Sequence, residues 1–215
     1  MYVPPSNAEH RPEVMLDYME AHPLAALVTG SGEGLIATHL PLLVDRTRGA
    51  LGTLAGHLAR ANRQQRQARE GDEVLVIFSG HDAYITPAYY PSKAREGKVV
   101  PTWNYVAVHA YGTLRFVTDP VALRAHLELL TSRHEASRAQ PWSVSDAPAD
   151  YIARQMGAIV GVEIEITRLE GKWKMSQNRS AEDIDGVIAG LEASGDASAR
   201  EVAGIVRTRR PADTG

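Results

Sequence analysis

Residues Val99 to Gly112 read VVPTWNYVAVHAYG, and they spend a Pro, a Trp, an Asn, two Tyr and a His on one short segment of a chain sparing with aromatics. Taken as extended backbone and continued to Phe116, the segment puts Val106, Val108, Ala110, Leu114 and Phe116 on one face. Tyr105, His109, Tyr111, Thr113 and Arg115 fall on the other. One face suits a core and the other suits polar contact. Pro101 fixes the entry into this strand, and Trp103 and Asn104 follow at once.

The flanking segments extend the pattern. Before it, and separated from it by the basic loop PSKAREGK, DEVLVIFSG is uniformly apolar and predicts a strand covered on both faces, with AYITPAYY as its hairpin partner. After it, DPVALRAHLELLTSRHE predicts a long helix with Leu123, Leu127, Leu130 and His134 on one stripe. A polar connector containing Trp142 leads to AIVGVEIEITRLEGKWKMS. There Val160, Val162, Ile164 and Ile166 alternate with Glu163, Glu165 and Thr167, and a hairpin turn is expected at the EG pair.

Nearer the start, RPEVMLDYMEAH predicts an amphipathic helix. PLAALVTG and GLIATHLPLLV form a hairpin through SGEG, a turn at DRTRG leads to ALGTLAG, and HLARANRQQRQARE is a short crossover helix. At the other end SAEDIDGVIAGLEASG opens with Ser180 and Asp183 in capping-box spacing and turns Ile184, Val187, Ile188 and Leu191 inward. A last helix is expected from about Ala197 to Arg207, before a frayed tail TRRPADTG. Six or seven antiparallel strands with helices between and after them imply a mainly β, α+β barrel with peripheral helices and a helical C-terminus. The expected division is 1–175 for the barrel and 176–215 for a helical extension packed on it.

Composition narrows the chemistry. The chain has 215 residues, 44% hydrophobic and 23% charged, and no apolar run approaches the roughly 18 residues of a membrane span. The N-terminus lacks the blocks of a secretion signal, so a cytoplasmic location without membrane contact is expected. The absence of cysteine excludes thiol nucleophiles and thiolate metal sites. No GxSxG or HExxH pattern occurs, and no metal site is expected. A net charge of -3 gives no global reason to bind nucleic acid, and the arginines at Arg60 to Arg69 and Arg207 to Arg210 are the basic clusters. A barrel of this size places a ligand at its mouth or at a dimer seam.

The blocks MYVPP, ATHLPLL, GHLARANRQ, AYITPAYY, VPTWNYVAVHAYG and KMSQNRS occur in this order from Met1 to about Leu191. In this the chain resembles the PaiB-type FMN-binding negative transcriptional regulators. The resemblance implies an antiparallel FMN-binding split barrel, usually a homodimer, and a role in repressing degradative-enzyme production and sporulation. Where the family pattern has NPQW this chain has NRQQ, so Arg63 and Gln65 depart from it.

FMN needs cationic, hydroxyl or amide donors for its phosphate and apolar surface for its ring. The resemblance makes His57, Arg60 and Asn62 phosphate candidates, and Thr38 and His39 candidates for the flavin edge. By spacing alone Arg60 is equally one of a solvated stripe with Arg63, Arg66 and Arg69, and His39 equally a histidine bonded to a nearby carbonyl. Trp103 as a stacking surface and Asn104 as an amide that bonds in both directions are candidates for a flavin wall, with core or dimer-seam packing of Trp103 and Tyr105 as the competing reading. Lys174, Ser176, Gln177, Asn178 and Arg179 gather donors before a helix start, which suits a phosphate or the flavin pyrimidine edge beyond what the Ser180 cap needs, with plain loop solvation as the competing reading.

Three functions stay open on the sequence. The first is a PaiB-type FMN-binding regulator that senses redox or metabolite state, with DNA contact unsupported by any recognisable motif. The second is an FMN-dependent NAD(P)H oxidoreductase, for which no general acid or base stands out. The third is a haem-binding or haem-degrading split barrel with His39, His57 or His109 as axial ligand.

Overall fold

Three long strands organise the chain, and the computed structural model describes residues 1–32 and 34–211. Glu33 of the SGEG turn and residues 212–215 of the expected tail lie outside the described residues. A 3-10 turn at Pro5–Asn7 precedes β1 (Ala8–Glu9) and α1 (Pro12–Ala21). β2 (Leu24–Ser31) and β3 (Gly34–Pro41) pair antiparallel from Leu24 opposite Pro41 to Ser31 opposite Gly34, which is the expected hairpin. Then come β4 (Leu43–Asp45), β5 (Thr53–Ala59), α2 (Arg63–Gln67), β6 (Glu73–Ile85), α3 (Ser92–Glu96) and β7 (Thr102–Val117). α4 (Pro120–Glu135), α5 (Ala149–Gly157), β8 (Ile159–Lys174), α6 (Ala181–Ala193) and α7 (Ala197–Thr208) complete the order. The strands form one eight-stranded sheet in the order β3-β2-β6-β7-β8-β5-β4, with β1 paired to β8.

The alternation expected in β7 is present: Val106, Val108, Ala110 and Leu114 are buried and Thr113 and Arg115 are exposed. Several expectations need correction. DEVLVIFSG and AYITPAYY are one strand, β6, rather than two arms of a hairpin. Gly80 has no positive φ to reverse the chain, and only Val74, Val76 and Phe78 of its first half are fully buried, so burial is on one face. The EG pair likewise makes no turn, because Gly171 stays extended opposite Glu9 of β1 and carries β8 through to Lys174. The crossover helix shrinks to α2, since β5 runs on to Ala59 and Asn62 caps the helix by accepting from Gln64 N. His134 is exposed rather than on the buried stripe of α4. The connector around Trp142 contains a 3-10 turn at Val144–Asp146 and the helix α5.

The chain divides into two compact units. The first holds Met1–Met15, Ser79–Val108 and the chain from Glu170. Its core gathers Ile85, Val106, Trp173 and Met175 with Ile184, Val187, Leu191, Val202 and Val206, so α6 buries the face its spacing predicted. Asp183 departs from the capping box: Ser180 accepts from Asp183 N, but the Asp183 carboxylate accepts from Ser92 N at 3.1 Å and Ser92 Oγ at 2.8 Å, tying α6 to α3. Buried Glu9 takes Arg11 and Arg209, which hold its carboxyl far below the usual range.

The second unit holds Leu16–Phe78 and His109–Leu169. Its core contains Leu27, Leu40, Leu42, Leu54, Val76, Phe78, Leu114 and Ile164. Gly112 lets β7 approach β8, because a Cβ there would stand 2.3 Å from the Glu165 carbonyl oxygen.

Candidate functional site

In the first unit, the start of β7 and the end of β8 bring donors to one cavity of about 290 Å³. Asn104 lies on the core face of its strand and is 0% exposed. Its Nδ2 is 3.0 Å from Ser176 Oγ, and that hydroxyl is 3.2 Å from Asn104 Oδ1. Ser176 follows β8 with φ 64, a left-handed conformation uncommon for a residue with a Cβ. The buried Asn104 amide is the partner that stabilises this bend.

Cations flank the bend on both sides. Lys174 Nζ donates to Thr102 Oγ1 and to the Trp103 carbonyl, and burial, then Lys172 and Arg179, push its ammonium below the ordinary lysine range. Arg179 sits over the Tyr90 ring with 4.7 Å to its centroid, and burial raises the Tyr90 phenol. Lys174, Ser176, Asn178 and Arg179 line the cavity with Thr102 and Asn104, and Ser6 and Asn7 close it from the N-terminal segment. Among the described residues no carboxylate lines it. Two cations, four hydroxyls and three amides without an acid among the described lining residues form a donor set that fits a phosphate ester.

The remaining candidates divide. Gln177 braces the turn, accepting from Met175 N at 2.7 Å and donating to the Trp173 carbonyl, and does not line the cavity. Trp103 is 54% exposed and meets Tyr84 edge to face at 5.8 Å, so it is not a core residue. In the second unit Asn62 Nδ2 donates to Thr38 Oγ1 at 2.9 Å while its Oδ1 caps α2, so both ends of the amide are committed. Gln64, 1% exposed, donates to the Leu27 carbonyl at 2.9 Å and fastens α2 to the β2–β3 hairpin. His39 is exposed on β3. Arg60 donates its backbone N–H to the Ala158 carbonyl and its Nε to the Gly157 carbonyl, and lines a groove beside α4 and α5.

His57 stands 3.3 Å from His126, Nδ1 to Nε2. Burial lowers the pKa of both, and burial with the neighbouring His57 brings His126 to about 4. His126, Tyr90 and Thr102 were not singled out from the sequence. Their roles depend on partners distant in the chain, and only the block VPTWNY hinted at Thr102.

A family model described as "Putative FMN-binding domain" matches residues 1–168. The chain belongs to this FMN-binding family. Across 97% of its length it is 37% identical to "Uncharacterized protein AN0679" of Emericella nidulans, of which 97% is covered. It is 29% identical to "Protease synthase and sporulation protein PAI 2" of Bacillus subtilis, over 97% of this chain and 98% of that one. Among solved structures, the FAD and heme binding protein from Mycobacterium smegmatis superposes with a TM-score of 0.59 at 18% identity, over 83% of this chain and 79% of that one. The fold is the antiparallel split barrel with peripheral helices, with eight strands among the described residues against the expected six or seven. FMN, the expected cofactor, is that of the family. Among the described residues no helix is long and apolar enough to cross a membrane.

Proposed function

We propose that this chain is a PaiB-type regulator that holds FMN with its phosphate in the cavity between the start of β7 and the end of β8. The observation that carries the reading is the acid-free convergence of Lys174, Arg179, Asn178, Ser176 and Thr102 on one cavity. A phosphomonoester carries up to two negative charges, and paired cations with hydroxyl and amide donors suit it better than they suit a neutral ligand. Bound FMN supplies hydride and single-electron chemistry; the chain's own residues bind and orient it. Lys174, tied to the β7 backbone, and Arg179, stacked on Tyr90, are preorganised, so little ordering entropy is lost on binding.

The regulatory part rests on similarity to the Bacillus subtilis protein, whose name ties it to protease synthesis and sporulation. A homodimer is part of the same proposal. The outer strand β3 supports it, because it exposes Leu35 (81%), Ala37 and His39 along one face as an unpaired edge.

Quenching of FMN fluorescence tests the site. Wild type should saturate at micromolar FMN or below, and Lys174→Ala and Arg179→Ala should each weaken binding tenfold or more, about 1.4 kcal/mol. Wild-type affinity in both variants would remove the phosphate from this cavity.

A further inference from the structure

In the second unit α4 and α5 leave a groove of about 640 Å³ between them. Its floor is Leu123 and Ile152, both buried, and Met156 continues the apolar surface. Alanines at 125, 149 and 153 keep it open, since longer side chains at these helix positions would fill it. A concave, mostly apolar site with a few placed polar groups is the usual form of a small-molecule site.

Charge decides what kind of molecule. Arg124 donates to Glu128 at 2.8 Å, so that cation is matched within the groove. Arg60 also lines the groove and is held beside α5, with its backbone N–H on the Ala158 carbonyl at 2.8 Å and its Nε on the Gly157 carbonyl at 3.0 Å. No carboxylate among the described residues pairs with Arg60, and its Nη atoms remain available to the groove. The result is a cation with no carboxylate partner among the described residues, oriented through its Nε, on the lining of a largely apolar groove.

We propose that this groove binds an amphipathic monoanion of the apolar carboxylate class. The carboxylate pairs with the Nη atoms of Arg60, whose planar fork matches two carboxylate oxygens, and the hydrocarbon lies along Leu123, Ile152 and Met156. The apolar floor disfavours a phosphorylated sugar chain, and Arg60 repels an amine of the same shape. The groove shares no lining residue with the Lys174 cavity, so this ligand is additional to FMN and gives the proposed regulator an input of its own.

Calorimetric titration of the full chain with decanoate tests this, with 1-decanol as the uncharged analogue. Decanoate should bind saturably with one site per chain, and 1-decanol at least tenfold more weakly. Arg60→Ala should weaken decanoate at least tenfold. Ala153→Trp, a change on an exposed position of α5, should fill the groove and abolish decanoate binding while the FMN titration and helical circular dichroism stay as in wild type. Absence of saturable decanoate binding, or equal affinity for 1-decanol, would overturn the proposal. So would an Arg60→Ala variant that loses FMN and keeps decanoate. Wild-type FMN affinity in Lys174→Ala and Arg179→Ala, with decanoate binding intact, would instead refute the flavin site and leave this groove standing.

Discussion

Asn104 shows what a single side chain does here: wholly buried, it spends its amide on Ser176 and thereby holds the left-handed bend that stands between Lys174 and Arg179. Asn104→Ala should leave the Ser176 hydroxyl without its partner and cost about 1–3 kcal/mol in urea unfolding. Retained stability would mean that the bend holds itself. His126 makes a second prediction. Its folded pKa is lowered to about 4 by burial and by His57, against an ordinary value of 6.5. The unfolded chain therefore binds the proton more readily, so this contribution is fully present above pH 6.5 and is lost as pH falls toward 4. The urea midpoint of wild type should drop between pH 7 and 4.5, and His126→Leu should flatten that drop; parallel curves would contradict the assignment. Glu163, held by Arg48 and Arg115, has its pKa lowered to about 2 from 4.5. Its stabilisation is present above pH 4.5 and fades toward pH 2, so Glu163→Gln should cost stability at pH 7 and little at pH 2.

Among the elements, what was legible in the sequence is what local spacing controls. The two faces of β7, the β2–β3 hairpin and the inward face of α6 all follow from period 2 or period 3.6, and each is present. Continuity of strands was not legible. Gly80 and Gly171 look like turn residues, yet both stay extended, and at Gly171 the reason is pairing with Glu9, far away in the chain. α5 escaped notice because it is only nine residues long and lies in a polar connector, with Ile152 its one buried residue. Glycines do matter where backbones crowd. A Cβ at Gly190 of α6 would lie 2.2 Å from Tyr89 Cδ1, and one at Gly112 would lie 2.3 Å from the Glu165 carbonyl oxygen. The Tyr89 ring can shift and the carbonyl cannot, so Gly112→Ala should destabilise more than Gly190→Ala, with overpacking costs of about 1–3 kcal/mol as the scale. Thermal melts of the two variants check the order, and the reverse order would contradict the close approach of β7 and β8.

For the molecule as a whole, the sequence supplied a family and a list of polar residues; the structure sorts that list by neighbourhood. Lys174, Ser176, Asn178, Arg179 and Asn104 share a cavity, Gln177 braces their turn, and Thr38 with Asn62 fastens the α2 entry. Tyr90, Ser6 and Asn7 complete that cavity from other parts of the chain, which spacing along one segment does not reveal. The proposed homodimer makes its own prediction: light scattering should give twice the chain mass, and Leu35→Asp on the exposed face of β3 should reduce it to one. A monomeric wild type would end that part of the account. The most direct test of the phosphate site compares FMN with riboflavin, which differ by the phosphate alone, on wild type and on a Lys174→Ala/Arg179→Ala double variant. Wild type should prefer FMN at least tenfold, and the double variant should bind the two flavins alike at the wild-type riboflavin affinity. A preference for FMN that survives the double substitution would place the phosphate elsewhere and contradict the account.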